Sequence, residues 1–186
     1  MRLRLLTAFA AAVAACGALA VVGFAQRGDA PRSLIVALRD AGGKPVGTVR
    51  MTAASARGPI EVRVAARRLE PGFHGFHVHA VGKCEGPAFK SAMGHLKAGT
   101  QTHGAHDGDM PSLLVKRNGT ATLRLTTDRF TLDDLRDRDG SAVMVHAGTD
   151  NYANVPPRYA LQGPDQETLD TGDSGDRVAC GRVAAG

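Results

Sequence analysis

The stretch Phe73-His74-Gly75-Phe76-His77-Val78-His79, FHGFHVH, places three of the chain's seven histidines within six positions. Val, Phe and the flanking Gly favour an extended chain, in which side chains alternate between faces. His77 and His79 are therefore predicted side by side on one face, with His74 on the other parity. Two neutral imidazoles on one face can share a transition metal, for which imidazole is a common ligand. H-x-H alone is a weak signal, and the remaining ligands have to come from elsewhere in the chain.

Working outward from this stretch, short apolar runs separated by turn residues predict strands at 33–40, 46–53, 58–66, 75–80, 112–117, 119–127, 141–148 and 177–183. Val62-Arg63-Val64 and Leu123-Arg124-Leu125 alternate in polarity, as half-buried antiparallel strands do. Asn118-Gly119 is a hairpin signal. One short helix is predicted at Thr131–Asp137, where Thr131 and Asp134 resemble a capping box. Eight short strands with little helix indicate an all-β fold, an eight-stranded Greek-key flattened β-barrel or β-sandwich. Two long irregular segments, 81–111 and 148–176, interrupt it, and loops of that length in a compact domain are usually functional or mobile.

The first 25 residues read as an export signal rather than as fold. Arg2 and Arg4 precede an uncharged apolar run from Leu5 to Ala25. Val13-Ala14-Ala15-Cys16 resembles a lipobox, with Cys16 the lipid attachment point, and this lipoprotein reading is the favoured one. Cleavage after Ala20 or Ala25, or retention of the run as a membrane anchor, are its rivals. Residues 26–32 read as a polar tether and 33–186 as one domain. Outside the signal the chain has two cysteines, Cys84 and Cys180. An even pair in an oxidising compartment reads as a disulfide. Closing so long a loop contributes on the order of 4 kcal/mol in the chain-entropy view. The net charge is +5, or +3 without Arg2 and Arg4, with no long basic run and eight aromatics. Nothing there supports a nucleic-acid partner.

The other histidines cluster. The loop Met93–Pro111 carries His95, His103, His106 and Asp109 among glycines, three nitrogens and a carboxylate suited to tetrahedral zinc. Asp107 competes with Asp109 for the carboxylate place. His146 ends an apolar strand; alone it reads as an edge histidine, and with His77 and His79 it would complete a copper-type site.

Taken together, HGFHVH, Gly94-His95, the His106-x-x-Asp109 motif running into Met110-Pro111, VHAGTDNYANVPP (145–157) and GDSGDRVACG (172–181) resemble the bacterial copper/zinc superoxide dismutases across residues 33–184. The resemblance implies that His77, His79, His95 and His146 bind copper. It implies that His95 bridges to zinc, which His103, His106 and Asp109 complete. Asp150 matches a carboxylate that hydrogen-bonds one histidine of each metal, Arg177 the arginine that meets the anionic substrate beside copper, and His74 a structural histidine behind the site. Cys84 and Cys180 match the family's disulfide. The implied reaction converts two superoxide anions to oxygen and hydrogen peroxide, with copper alternately reduced and reoxidised and His95 carrying a proton.

The sequence also departs from better-known relatives. Only Gly104 and Ala105 separate His103 from His106, a compressed zinc loop. Ala80 stands where many relatives carry a carboxylate, and 148–176 lacks recognisable charged guiding residues. A non-catalytic extracytoplasmic copper/zinc-binding module is the alternative function, and the presence of both Arg177 and Asp150 weighs against it. Whether the protein is a monomer or a homodimer is not legible from the sequence.

Overall fold

The computed structural model describes residues 32–55, 58–96 and 101–186. The signal region with Cys16 and all of the tether but Arg32 lie outside the described residues. The described residues form nine strands: β1 (Arg32–Asp40), β2 (Pro45–Ala53), β3 (Ile60–Ala66), β4 (Gly72–His74), β5 (Phe76–His79), β6 (Leu113–Val115), β7 (Ala121–Thr127), β8 (Ser141–His146) and β9 (Arg177–Val183). All pair antiparallel. The all-β architecture expected from the sequence is present. Its count rises from eight to nine because the segment predicted as a strand at 75–80 is preceded by a separate one, Gly72–His74.

That division decides the topology. The ladder runs β4-β6-β7-β3-β2-β1-β9-β8-β5, so β4 and β5 occupy its opposite ends although only Gly75 separates them in sequence. FHGFHVH supplies both edges, which curls the ladder into a nearly closed barrel and leaves few unpaired edge groups. At the crossing Gly75 donates its N–H to the Gly148 carbonyl (2.8 Å) and accepts from His146 N–H (2.8 Å). The Asn118-Gly119 turn joins β6 to β7, with Gly119 at φ 74°.

The barrel interior is apolar and mostly aliphatic, built from Val36, Leu38, Val49, Met51, Ile60, Val62, Val78, Val143 and Val145 with the aromatic Phe76 among them. A second cluster, Phe89, Ala92, Ala142, Met144 and Cys180, with Cys84 against it, lies outside β8. Residues along a strand alternate between faces, so Val143 and Val145 face the barrel while Ala142 and Met144 face this satellite. β8 is buried at every position because of it. The Cys84–Cys180 disulfide (Cα–Cα 5.7 Å) fastens the first long loop to β9 there.

The helix expected at Thr131–Asp137 shrinks to a single 3₁₀ turn, Asp134–Arg136. Its box nonetheless forms: Asp134 Oδ2 accepts from Thr131 N–H (2.6 Å) and Thr131 Oγ1 accepts from Asp134 N–H (3.2 Å). The one α-helix among the described residues, α1 (Gln166–Thr171), lies in the second long segment. Asp165 caps it by accepting from Thr168 N–H (2.9 Å), and Gly172 ends it at φ 63°.

Candidate metal centre

The first long loop lies along the outer edge of β5. Leu96 N–H donates to the Val78 carbonyl (2.8 Å), Val78 N–H to Gly108 (2.8 Å) and Gly108 N–H to Leu96 (2.7 Å). A side chain at Gly108 would collide with the Val78 carbonyl, so glycine permits this approach. The result seats His95 opposite His79 and Asp109 opposite His77. β8 delivers His146 from the other side of β5, at a register irregularity between Val145 and His146.

Six histidines, Asp109 and Asp150 thereby converge, and all are buried. In one subset the Nδ1 atoms of His103 and His106 each lie 3.3 Å from His95 Nδ1. Asp109 Oδ1 lies 3.0, 3.3 and 3.5 Å from the Nδ1 atoms of His95, His103 and His106. A tetrahedral zinc with ligands at about 2.0–2.1 Å requires ligand–ligand edges of about 3.3 Å. The five edges measured above, 3.0–3.5 Å, are already close to that spacing. His77 also approaches His95, His103 and Asp109 within 4.8 Å. His106 is the better fourth member, because its Nδ1 lies 3.3 Å from His95 Nδ1 and 3.5 Å from Asp109 Oδ1, close to a tetrahedral edge. Asp109 faces these rings where Asp107 was its rival in sequence. Its second oxygen accepts from Gly104 N–H (2.7 Å) and His106 N–H (3.0 Å), which shapes the compressed loop.

The second subset is His77, His79, His95 and His146, whose ligand atoms all lie within 4.8 Å of one another. A carbonyl can only accept, so His79 Nδ1 donates to Met93 O (2.8 Å) and His146 Nδ1 donates to Gly175 O (3.0 Å). Their Nε2 atoms are left facing each other at 3.3 Å. His77 Nε2 is held by Asp150 Oδ2 (2.7 Å), and its buried Nδ1 has no hydrogen-bond partner. Lone pairs confronting one another in a desolvated site are costly unless a cation sits among them. Imidazole donors of this kind suit copper or zinc.

Asp150 joins the two subsets. Its Oδ1 accepts from His103 Nε2 (2.7 Å) and Tyr152 N–H (2.7 Å), and its Oδ2 from His77 Nε2. Such carboxylates set the tautomer of ligating imidazoles, here turning both Nδ1 atoms inward. Gly172 backs the arrangement: a Cβ there would collide with Asp150 Oδ1 and His103 Nε2. His103 N–H also donates to Leu169 O of α1 (2.7 Å), tying the two long loops together.

The fields differ between the subsets. Burial lowers His77 to about 4 and His146 to about 3, and it pushes His79 well below its ordinary value. These imidazoles are neutral and ready to ligate at neutral pH. Burial also disfavours charge on His103, but its hydrogen bonds to Asp109 and Asp150 outweigh that and raise it to about 9. Burial would raise both aspartates, yet their histidine partners hold them well below the carboxylate range. A metal entering beside His103 must displace a proton.

Arg177 stands at the mouth of the copper-type subset. Its guanidinium donates to Phe89 O (2.8 Å) and Met93 O (2.6 Å), so the Met93 carbonyl accepts from both His79 and Arg177. A cleft of about 1150 Å³ opens there, lined by His95, His146, Arg177, Met93 and Lys90 among others. His74 lies behind, its ring nitrogens against His146 O (2.7 Å) and Glu70 O (2.8 Å). Sequence reasoning missed the Phe89 and Met93 carbonyls, because every residue carries a carbonyl. It also missed Arg129, whose guanidinium donates to Gly104 O (3.2 Å) and His106 O (3.0 Å). Gly172 was readable as the helix stop after Asp165, but not as a neighbour of Asp150.

Residues 46–183 match the family model described as copper/zinc superoxide dismutase (SODC). The Cu-Zn superoxide dismutase of Mycobacterium tuberculosis is 39% identical over 180 residues, covering 88% of this chain and 75% of that protein. The corresponding Escherichia coli K12 protein is 34% identical over 158 residues, covering 76% and 80%. Among solved structures, the Cu/Zn superoxide dismutase from Brucella abortus superposes with a TM-score of 0.64 at 28% identity, covering 82% of this chain and 99% of that one. A double mutant of a SOD-like protein from Bacillus subtilis gives 0.66 at 28% identity, covering 81% and 97%.

Proposed function

The chain belongs to the copper/zinc superoxide dismutase family, and from that membership we propose how its own residues divide the work. The protein is an oxidoreductase that converts two superoxide anions to oxygen and hydrogen peroxide, with copper and zinc as its cofactors. His77, His79, His95 and His146 hold the copper, and His95, His103, His106 and Asp109 hold the zinc. The observation that carries this division is the geometry of unpaired lone pairs. His79 and His146 each spend one ring nitrogen on a carbonyl and aim the other at the same point, while the His95, His103, His106 and Asp109 donors already have tetrahedral spacing.

Copper held there would supply one-electron redox chemistry. The chain supplies the rest. Arg177 attracts the anion to the cleft and, pinned by the Phe89 and Met93 carbonyls, presents its guanidinium in one orientation. His95 commits Nδ1 to the zinc side, so its other ring nitrogen is the atom that takes up a proton and delivers it to the departing peroxide. Asp150 holds His77 and His103 in one tautomer while this occurs.

We extend the reading to location. Residues 1–25 direct export, 26–31 link that signal to β1, which already includes Arg32, and Cys16 is the lipid attachment point that holds the protein at the cell envelope. The apolar run behind Arg2 and Arg4, and a disulfide suited to an oxidising compartment, support this.

Metal analysis combined with a superoxide assay on the exported, disulfide-intact protein tests the enzymatic reading. The expected result is one copper and one zinc per chain and dismutation well above that of the same copper free in solution. Activity equal to free copper leaves the metal-binding module as the correct function. Mass spectrometry of the mature N-terminus tests the rest: a diacylated Cys16 is expected, and an unmodified terminus at residue 21 or 26 refutes the lipoprotein assignment.

A further inference from the structure

The backbone at Met93 adopts φ 60°, ψ −153°, a region that is essentially glycine's alone and strained for an L-residue. The position is over-determined by its carbonyl, which accepts from both His79 and Arg177. Those two hydrogen bonds need only the backbone, and glycine would provide them without strain. The chain instead places a thioether there, 60% exposed and lining the same cleft as His95, His146 and Arg177. The contrast with the other methionines of the described residues is complete: Met51, Met110 and Met144 are 0–2% exposed and packed in the interior. No feature of the packing explains a Met at this point, since its side chain fills no core.

What passes Met93 is the reaction's product. On the enzymatic reading above, on which this inference rests, each turnover releases hydrogen peroxide into the cleft that Met93 lines. A thioether is the one side chain of that lining which peroxide oxidises directly to a stable product. We propose that Met93 is a modification site, the residue that captures peroxide leaving the copper side of the site and is converted to methionine sulfoxide. The sulfur lone pair attacks one peroxide oxygen, the O–O bond breaks, and that oxygen becomes the sulfoxide oxygen. The other oxygen leaves as water after proton transfer. Sulfur loses two electrons and peroxide gains them, so no further oxidant is needed. The product is polar and remains reducible by methionine sulfoxide reductases, which makes the site renewable where oxidation of a ligating histidine would not be.

Peptide mapping by mass spectrometry tests this on the copper- and zinc-loaded protein exposed to a steady superoxide flux, with catalase present to clear peroxide from bulk solution. The same sample is assayed for dismutation, and a copper-free sample serves as the comparison. Addition of one oxygen atom to the Met93 peptide is expected. It should exceed that at Met51, Met110 and Met144 by on the order of tenfold or more, following exposure, and it should depend on copper. Treatment with methionine sulfoxide reductase should remove the added oxygen. Dismutation with Met93 unmodified, or modified no faster than Met110, overturns the inference alone. Equal modification in the copper-free sample overturns it too, because the oxidant then comes from solution. Absence of dismutation overturns the enzymatic reading and this inference with it, and the activity assay separates that case from the others.

Discussion

Asp150 lets one carboxylate serve two metal subsets, because each of its oxygens faces a different imidazole Nε2. An amide in the same place offers one acceptor and one donor. In Asp150→Asn, one of His77 and His103 would face an N–H and have to move its proton onto Nδ1, the ligating atom. The expected outcome is a loss of about 10–100-fold in affinity for at least one of the two metals, measured by competition with chelators for copper and zinc separately. Unchanged affinity for both would show that Asp150 does not set the tautomers. At Met93 the strain makes an opposite prediction. Met93→Gly relieves a conformation costing of order 1–3 kcal/mol and gives up roughly 0.5–1 kcal/mol to the freer unfolded chain. A net gain of about 1 kcal/mol is expected, raising the thermal midpoint by about 2–4 °C. Met93→Ala keeps a Cβ and should show no such gain, so equal behaviour of the two variants would refute the strain.

Among the elements, the compressed loop around His103 and His106 is held from outside by Arg129, which follows β7. Its guanidinium spans the carbonyls of Gly104 and His106 while Asp109 accepts the N–H groups of the same two residues. The loop is therefore clamped through both its donors and its acceptors, and the two zinc-side histidines inherit its rigidity. Removing the clamp in Arg129→Ala is expected to weaken zinc binding by about tenfold, near the net worth of one charged hydrogen bond. Copper affinity should stay close to its original value, because His79 and His146 are positioned by Met93 and Gly175. Metal titrations of the variant decide it: equal weakening of both metals would mean that Arg129 supports the fold rather than the zinc loop. Arg129→Lys, which keeps the charge but not the fork, should recover only part of the loss.

For the molecule as a whole, the buried histidines make stability depend on pH in both directions once metals are removed. His77, His79 and His146 titrate below their ordinary value of 6.5 in the folded protein, chiefly through burial. The unfolded chain then takes up protons first as pH falls. Their contribution is complete above pH 6.5 and is lost as pH drops toward about 4 for His77 and about 3 for His146. His103 runs the other way. Raised to about 9, it contributes fully below pH 6.5 and loses that contribution as pH rises through about 9. The chelated protein should therefore be most stable near pH 6.5, with the steeper decline on the acid side, where three imidazoles act against one. Thermal midpoints from pH 4 to 10 check this, and a midpoint still rising at pH 9 would contradict it. Zinc-bound protein should lose the alkaline decline, since a ligating His103 Nδ1 carries no proton.

What the amino-acid order determined by itself was local or chemical in kind. Alternation along β3 and β7, the Asn118-Gly119 turn and the capping pair of Thr131 and Asp134 are contacts between near neighbours, so they could be read without the fold. The parity of His77 and His79 follows from strand geometry alone, and the identities of the ligand candidates follow from their side-chain chemistry. The tertiary structure decided what depends on residues distant in sequence. It divided FHGFHVH at Gly75, because the two halves pair with β6 and β8 at opposite ends of one ladder. It reduced one expected helix to a single turn and placed another, α1, where its Asp165 cap and Gly172 stop had gone unread. It aimed the Asp109 carboxylate at three imidazoles, and it brought the carbonyls of Phe89 and Met93 against the Arg177 guanidinium. Backbone groups carry no residue identity, so only the path of the chain can give them a role.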